Sequence, residues 1–282
     1  MLAKRLPTIL PDMDLNESLE TTKIYSVMGL LKADQNIIRS RPFRSPHHTT
    51  SDVAIVGGGS IPKPGEATLS HNGILFLDEL PEFNRNVLES LRQPLEDHCV
   101  MISRAARSTR FPTKFMLVCA MNPCPCGFFT DPKKECQCTP QQIQRYMSKI
   151  SGPLLDRIDL HLDVPSLPSR DLLTNTSAES SKDIKERILK TKSCQKERFA
   201  GTGIAANSYM NHRQIKKFCA LDEQGKKLLK MAIDELGLSA RSYDKILKVA
   251  RTISDLAGSD EIKTEHLAEA IQYQSLDRDR RG

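Results

Sequence analysis

The chain has 282 residues, 39% of them hydrophobic, and a formal net charge of +6, so it can bury a core in one large or two modest domains and is not disordered throughout. No apolar run approaches the ~20 residues of a membrane-spanning helix and no signal peptide is legible, so a cytoplasmic protein without membrane contact is expected. The basic balance permits contact with nucleic-acid phosphates without requiring it, while 5% aromatic content and the absence of tryptophan argue against a base-stacking platform.

The opening "MLAKRLPTILP" has a short helical pattern with a prolyl stop. "SPHHTT" places His47 and His48 side by side, but adjacent side chains project differently and no third ligand follows, so hydrogen bonding within a loop is expected rather than metal binding. "VGGGSIPKPGE", residues 56–66, is rich in glycine, yet Lys63 stands between two prolines without a following Ser or Thr. It is therefore read as a flexible loop, and no G-x-x-x-x-G-K-[ST] phosphate cradle is found in the chain.

In "GILFLDELPEF", residues 73–83, an apolar run ends on Asp78 and Glu79. Such a run suits a buried strand of a parallel sheet, and chemistry in those sheets sits beyond the strands' carboxyl ends. One carboxylate there can hold Mg²⁺ and the next can polarise a water attacking a γ-phosphate, the Walker B pattern; an acidic helix start is the plainer alternative. Strands are expected at 74–78, 115–121 and 158–164, and helices at 84–97 and 140–150. Residues 99–112 resemble a basic β-hairpin carrying Arg104, Arg107 and Arg110, or else a solvated charged loop.

The strand in "FMLVCAMN" ends near Asn122, whose amide can orient an attacking water, although Asn before Pro is also a turn signal. Directly after it, "CPCGFFTDPKKECQC" brings Cys124, Cys126, Cys136 and Cys138 within fifteen residues. Four thiolates at this spacing can enclose a structural Zn²⁺, or remain four reduced cysteines. Cys99, Cys119, Cys194 and Cys219 are scattered and expected as small core residues, and His161 as structural. Arg157, in "SGPLLDRID", can stabilise charge on a phosphate held by a neighbouring subunit, or pair locally with Asp156 or Asp159. Prolines and serines at 164–181 separate this mixed part from amphipathic segments near 181–199, 211–219, 222–236, 240–257 and 263–273, a helical bundle with Ile246, Leu247, Ala250 and Ile253 in its core.

The ordered series "RPFRSPHHTTSDVAIVGGG", "PGEATLSHNGILFLDELPEF", "AMNPCPCG", "SGPLLDRID" and "LSARSYDKILKVARTISDLAG" resembles the magnesium-chelatase-like AAA+ ATPases, in particular the ComM/YifB group, over practically the whole chain. The resemblance implies an α/β fold: a partial P-loop AAA+ parallel-sheet core at 1–165, followed by an all-helical lid, the magnesium-chelatase C-terminal domain, at 166–282. It implies ATP and Mg²⁺ as cofactors, Asp78 and Glu79 as Walker B acids, Asn122 as sensor 1, Arg157 as arginine finger and Arg241 as sensor 2. It also implies a homo-oligomer, a hexameric ring with ATP between subunits, and a basic hairpin touching DNA. The implied activity is branch migration of DNA recombination intermediates in natural transformation. Alternatives are a chelatase-type ATPase subunit acting on a partner protein, and a nucleotide-free interaction module stabilised by zinc. The family's amino-terminal Lon-protease-like part and its Walker A loop are not found here, so a fragment, weak in ATP binding, inactive alone and with exposed strand edges, is expected.

Overall fold

A computed structural model of the chain describes residues 2–32, 34, 36–59, 62–104, 107–129, 131, 133–164, 179–236 and 239–274; at 103, 104, 107, 236 and 240 it describes the backbone alone. The chain folds as two compact units, Met1–Arg157 and Ile158–Gly282. Most of the proline- and serine-rich stretch expected to separate two domains, residues 165–178, lies outside the described residues.

The first unit opens with a 3-10 turn, Leu2–Arg5, and helix α1, Leu6–Ile9, ended before Pro11. Helix α2, Leu15–Val27, starts at a capping box in which Asp14 accepts from the Glu17 N–H and Glu17 accepts from the Asp14 N–H. Then come β1 (Phe43–Arg44), α3 (Asp52–Val56), β2 (Gly57–Gly58), β3 (Lys63–Pro64), α4 (Glu66–Leu69) and β4 (Ile74–Leu77). Helices α5 (Arg85–Ser90) and α6 (Arg92–Asp97), strands β5 (Cys99–Arg104), β6 (Arg107–Pro112) and β7 (Met116–Cys119), and helices α7 (Pro140–Met147) and α8 (Gly152–Leu155) complete it.

The sheet that positions the site is parallel, in the order β1-β4-β7. All four side chains of β4 are buried, which explains the unbroken apolar run: a central strand is covered on both faces. Its entry is a close approach of backbones. The Ile74 N–H donates to the Pro42 carbonyl at 2.8 Å, and a Cβ on Gly73 would lie 2.1 Å from that oxygen, so only glycine fits.

Four expectations are corrected. The 84–97 helix is two helices meeting at Leu91, because Pro94 has no N–H to continue the ladder. The 140–150 helix stops at Met147. The 56–66 loop is closed at its base by antiparallel pairing of Gly57 with Pro64 and Gly58 with Lys63. Residues 158–164 belong to no ladder: the described contacts there are the His161 N–H to the Tyr273 carbonyl, and bonds to the Ile158 and Asp159 carbonyls from Lys245 and Gln274. Their apolar alternation encodes a strand, but no neighbouring strand among the described residues pairs with it, and Leu160, Leu162 and Val164 are exposed.

The second unit is helical: α9 (Ser181–Arg198), α10 (His212–Phe218), α11 (Glu223–Leu236), α12 (Ala240–Leu256) and α13 (Thr264–Gln272), each within about two residues of its expected span. Ile246, Leu247 and Ala250 on α12 pack with Phe199, Ile215 and Leu267, and Ile253 lies partly buried against them. Cys194, expected in the core, is exposed on α9. Asp255 is fully buried between Arg198 and Arg251.

Candidate functional site

Parallel pairing of β4 with β7 brings the two strand exits together. The Ala120 N–H donates to the Leu77 carbonyl at 2.9 Å and the Leu80 N–H to the Ala120 carbonyl at 3.0 Å. Asp78 and Glu79 leave one strand and Asn122 follows the other, all three exposed at one edge of the sheet. Asp78 Oδ1 accepts from the Glu79 N–H at 3.1 Å. Glu79 itself is left-handed, with φ 54° and ψ 50°. The Tyr146 phenol of α7 hydrogen-bonds to the Asn122 backbone; burial raises its pKa, and the nearby Glu82, Cys124 and Glu79 raise it further despite that hydrogen bond. The sheet edge thus offers two carboxylates and an amide to solvent, hard oxygen donors that fit Mg²⁺ when its remaining positions are filled by water or phosphate.

A contact that sequence reasoning missed lies beside them. His48 Nδ1 is 3.2 Å from Glu79 Oε2. "SPHHTT" and "LDEL" meet because β1 and β4 are neighbours, and the unread strand Phe43–Arg44 was the signal that would have joined them.

Arg157 does not pair with Asp156 or Asp159. Its guanidinium donates to Glu96 of α6 and, at 2.6 Å, to the Pro153 carbonyl, and its side chain is 12% exposed. Arg241 is exposed in the first turn of α12, whose Ser239 cap accepts from the Ser242 N–H. The basic segment is a hairpin: β5 and β6 pair antiparallel with Met101 opposite Arg110 and Arg104 opposite Arg107. Val100 and Ile102 face inward and Arg110 outward; the side chains of Arg104 and Arg107 lie outside the described residues.

The four clustered cysteines converge. Cys124 Sγ lies 3.3 Å from Cys126 and 3.7 Å from Cys136, Cys126 lies 3.6 Å from Cys136, and all four sulfurs fall within 4.8 Å of one another. A tetrahedral site with metal–sulfur bonds of ~2.3 Å has sulfur–sulfur edges of roughly 3.8 Å, so the set fits one metal ion. The Phe128 N–H and neighbouring donors pull Cys126 down to about 6. Cys136 is pushed up to about 12: the Cys138 N–H favours its thiolate, but burial and the sulfurs of Cys126 and Cys124 outweigh that. Crowded sulfurs cannot all ionise unaided, which is the condition a bound cation relieves. Gly127, at φ 82°, turns the chain back so that its Cα side faces Asn122.

An α/β unit with paired carboxylates at the carboxyl end of a central parallel strand, followed by a helical unit, is consistent with a chelatase-like AAA+ fold. The chain belongs to that family: residues 1–172 match the family described as magnesium chelatase, subunit ChlI, and residues 178–274 match magnesium chelatase, subunit ChlI C-terminal. Within it, the chain is 47% identical over 279 residues to competence protein ComM of Haemophilus influenzae, covering 98% of this chain and 53% of that protein. It is 43% identical over 280 residues to the uncharacterized protein YifB of Escherichia coli, covering 99% and 54%. An uncharacterized protein of Mycobacterium tuberculosis is 37% identical over 274 residues, covering 97% and 54%. The chain spans about half the length of the curated relatives it matches. No helix among the described residues is long and apolar enough to cross a membrane.

Proposed function

We propose that the chain supplies the Walker B, sensor and lid parts of a cytoplasmic ATPase that remodels DNA recombination intermediates by branch migration. The observation that carries this reading is the meeting of Asp78, Glu79 and Asn122 at the carboxyl ends of neighbouring parallel strands. Asp78 holds Mg²⁺, Glu79 accepts a proton from the attacking water, and Asn122 orients that water. Mg²⁺, when bound there, would neutralise phosphate charge on ATP. Arg157 acts on a neighbouring subunit's phosphate after leaving Glu96, and Arg241 acts from a helical lid over residues 166–282, in a hexameric ring. Arg104, Arg107 and Arg110 of the hairpin contact DNA phosphates. Zn²⁺ at Cys124, Cys126, Cys136 and Cys138 braces the loop after Asn122 and takes no part in hydrolysis.

Kinship with a competence protein supports natural transformation as the process. The family's chelatase description favours a second reading, an ATPase subunit driving a partner protein. Stimulation of ATP hydrolysis by branched DNA, in the protein expressed from its native gene, separates the two. Stimulation is expected; its absence with linear, forked and four-way DNA favours the chelatase-type subunit.

A further inference from the structure

We infer that Glu96 keeps Arg157 stowed on its own subunit, an autoinhibitory contact that a neighbouring subunit's ATP must break before the arginine can act. The inference rests on the reading of Arg157 as an arginine finger and adds what controls it.

Both ends of the contact are fixed by backbone. Glu96 stands one residue before the end of α6, where His98 turns left-handed at φ 52° and the chain enters β5. The buried Thr113, just after β6, pins that turn: its N–H donates to the His98 carbonyl at 2.8 Å and its hydroxyl to the Pro94 carbonyl at 3.3 Å. Arg157 follows the single turn of α8, anchored by the buried Leu154 and Leu155, and its N–H donates to the Leu154 carbonyl at 2.9 Å. Side-chain torsions alone therefore carry the guanidinium to Glu96 or away from it.

The arginine side chain is 12% exposed, against 48% for Glu96. Its Nη1 donates to the Pro153 carbonyl at 2.6 Å and its Nη2 to Glu96 Oε2. The carboxylate offsets the charge that a phosphate would meet, so in this arrangement Arg157 offers a neighbour little. The fit is also incomplete, because Nε is buried with no acceptor among the described residues. A guanidinium presents five N–H donors in a planar fork, and a phosphate can engage Nε and an Nη together. An unpaired buried N–H is costly, which leaves the stowed state open to that exchange. The two arrangements form an equilibrium, and a γ-phosphate shifts it by the difference in its affinity for them.

The test uses the protein expressed from its native gene. Without nucleotide, phenylglyoxal should modify Arg157 more slowly than the exposed Arg213 of α10, read by peptide mass spectrometry. Glu96→Gln should speed modification of Arg157 about threefold, the shift expected for a partly exposed ion pair. Equal rates at the two arginines in the wild type, or an Arg157 rate unchanged by Glu96→Gln, overturns the inference. In hydrolysis, Glu96→Gln should raise kcat/KM for ATP about threefold, and the rise should vanish in the Arg157→Ala background. A merely structural role for Glu96 would lower activity instead. A fall or no change in Glu96→Gln, or an equal rise with and without Arg157, overturns the inference. If Arg157→Ala hydrolyses ATP at the wild-type rate, the reading of Arg157 as a finger falls first; if it is impaired while Glu96→Gln matches the wild type, only control by Glu96 is excluded.

Discussion

Replacing Asp255 by alanine should cost the helical unit about 3 kcal/mol. The Asp255 carboxylate is fully buried and accepts from Arg198 Nη1 at 2.6 Å, Asn207 Nδ2 at 2.8 Å, Arg251 Nε at 3.0 Å and Gln195 Nε2 at 3.3 Å. Removing one partner of a buried ion pair costs about 3–5 kcal/mol because the remaining charge is left uncompensated. The lower figure applies here. Arg251, 4% exposed, keeps the Asp260 and Ser259 carbonyls at 2.7 Å, and Arg198, 14% exposed, can reach water. For a unit of this size that loss lowers Tm by roughly 11 °C. Asp255 also fastens the far end of α12, the helix that carries Arg241 about 21 Å away along its axis. Urea unfolding followed by far-UV circular dichroism reads the effect; a loss under about 1 kcal/mol refutes the reasoning.

The same group sets an acid limb. Burial raises the Asp255 pKa, but hydrogen bonds from Arg198 and Asn207 and the charges of both arginines outweigh it and hold the pKa below the ordinary value. The unfolded state therefore binds the proton more readily. Stability from this group is complete above about pH 4 and is lost as pH falls through the lower folded value. Asp255→Asn should flatten that limb in pH-dependent unfolding.

Cys136→Ser should reduce bound zinc from about one equivalent per chain to near zero by elemental analysis, with a lower Tm; a zinc-free wild type of unchanged stability would contradict the four-thiolate site. His71 is buried with Nδ1 accepting from the Lys114 N–H at 3.0 Å and Nε2 facing Glu20 at 3.1 Å, and burial lowers its pKa despite Glu20. The unfolded chain then takes up the proton first, so the first unit should lose stability as pH falls below about 6.5, the ordinary histidine value, and His71→Asn should remove that slope in pH-dependent melts. Gly73→Ala should cost at least about 2 kcal/mol by urea unfolding, since its Cβ would meet backbone rather than a movable side chain.

The parts legible in the sequence were those with a local signal. The β4 run needs no context, because a covered central strand is apolar at every position, and the bundle helices show their 3.6-residue period with serine or asparagine caps such as Asn211 and Ser239. The four cysteines were legible as a spacing, and the fold closes them into one cluster. Non-local features were not legible. The two-residue β1 is too short for a periodic pattern, so the meeting of His48 with Glu79 stayed hidden. Arg157 pairs with Glu96, 61 residues away, rather than with its sequence neighbours. Leu160, Leu162 and Val164 carry strand periodicity, yet a ladder is decided by a partner and not by the strand alone.

The most direct test of the nucleotide site compares ATP binding and hydrolysis by wild type and Glu79→Gln, in the protein expressed from its native gene, with Mg²⁺ and branched DNA present. The account expects Glu79→Gln to bind ATP with near wild-type affinity and to lose hydrolysis about 100-fold or more. Hydrolysis by Glu79→Gln at the wild-type rate, or a wild type that binds no nucleotide, would contradict it.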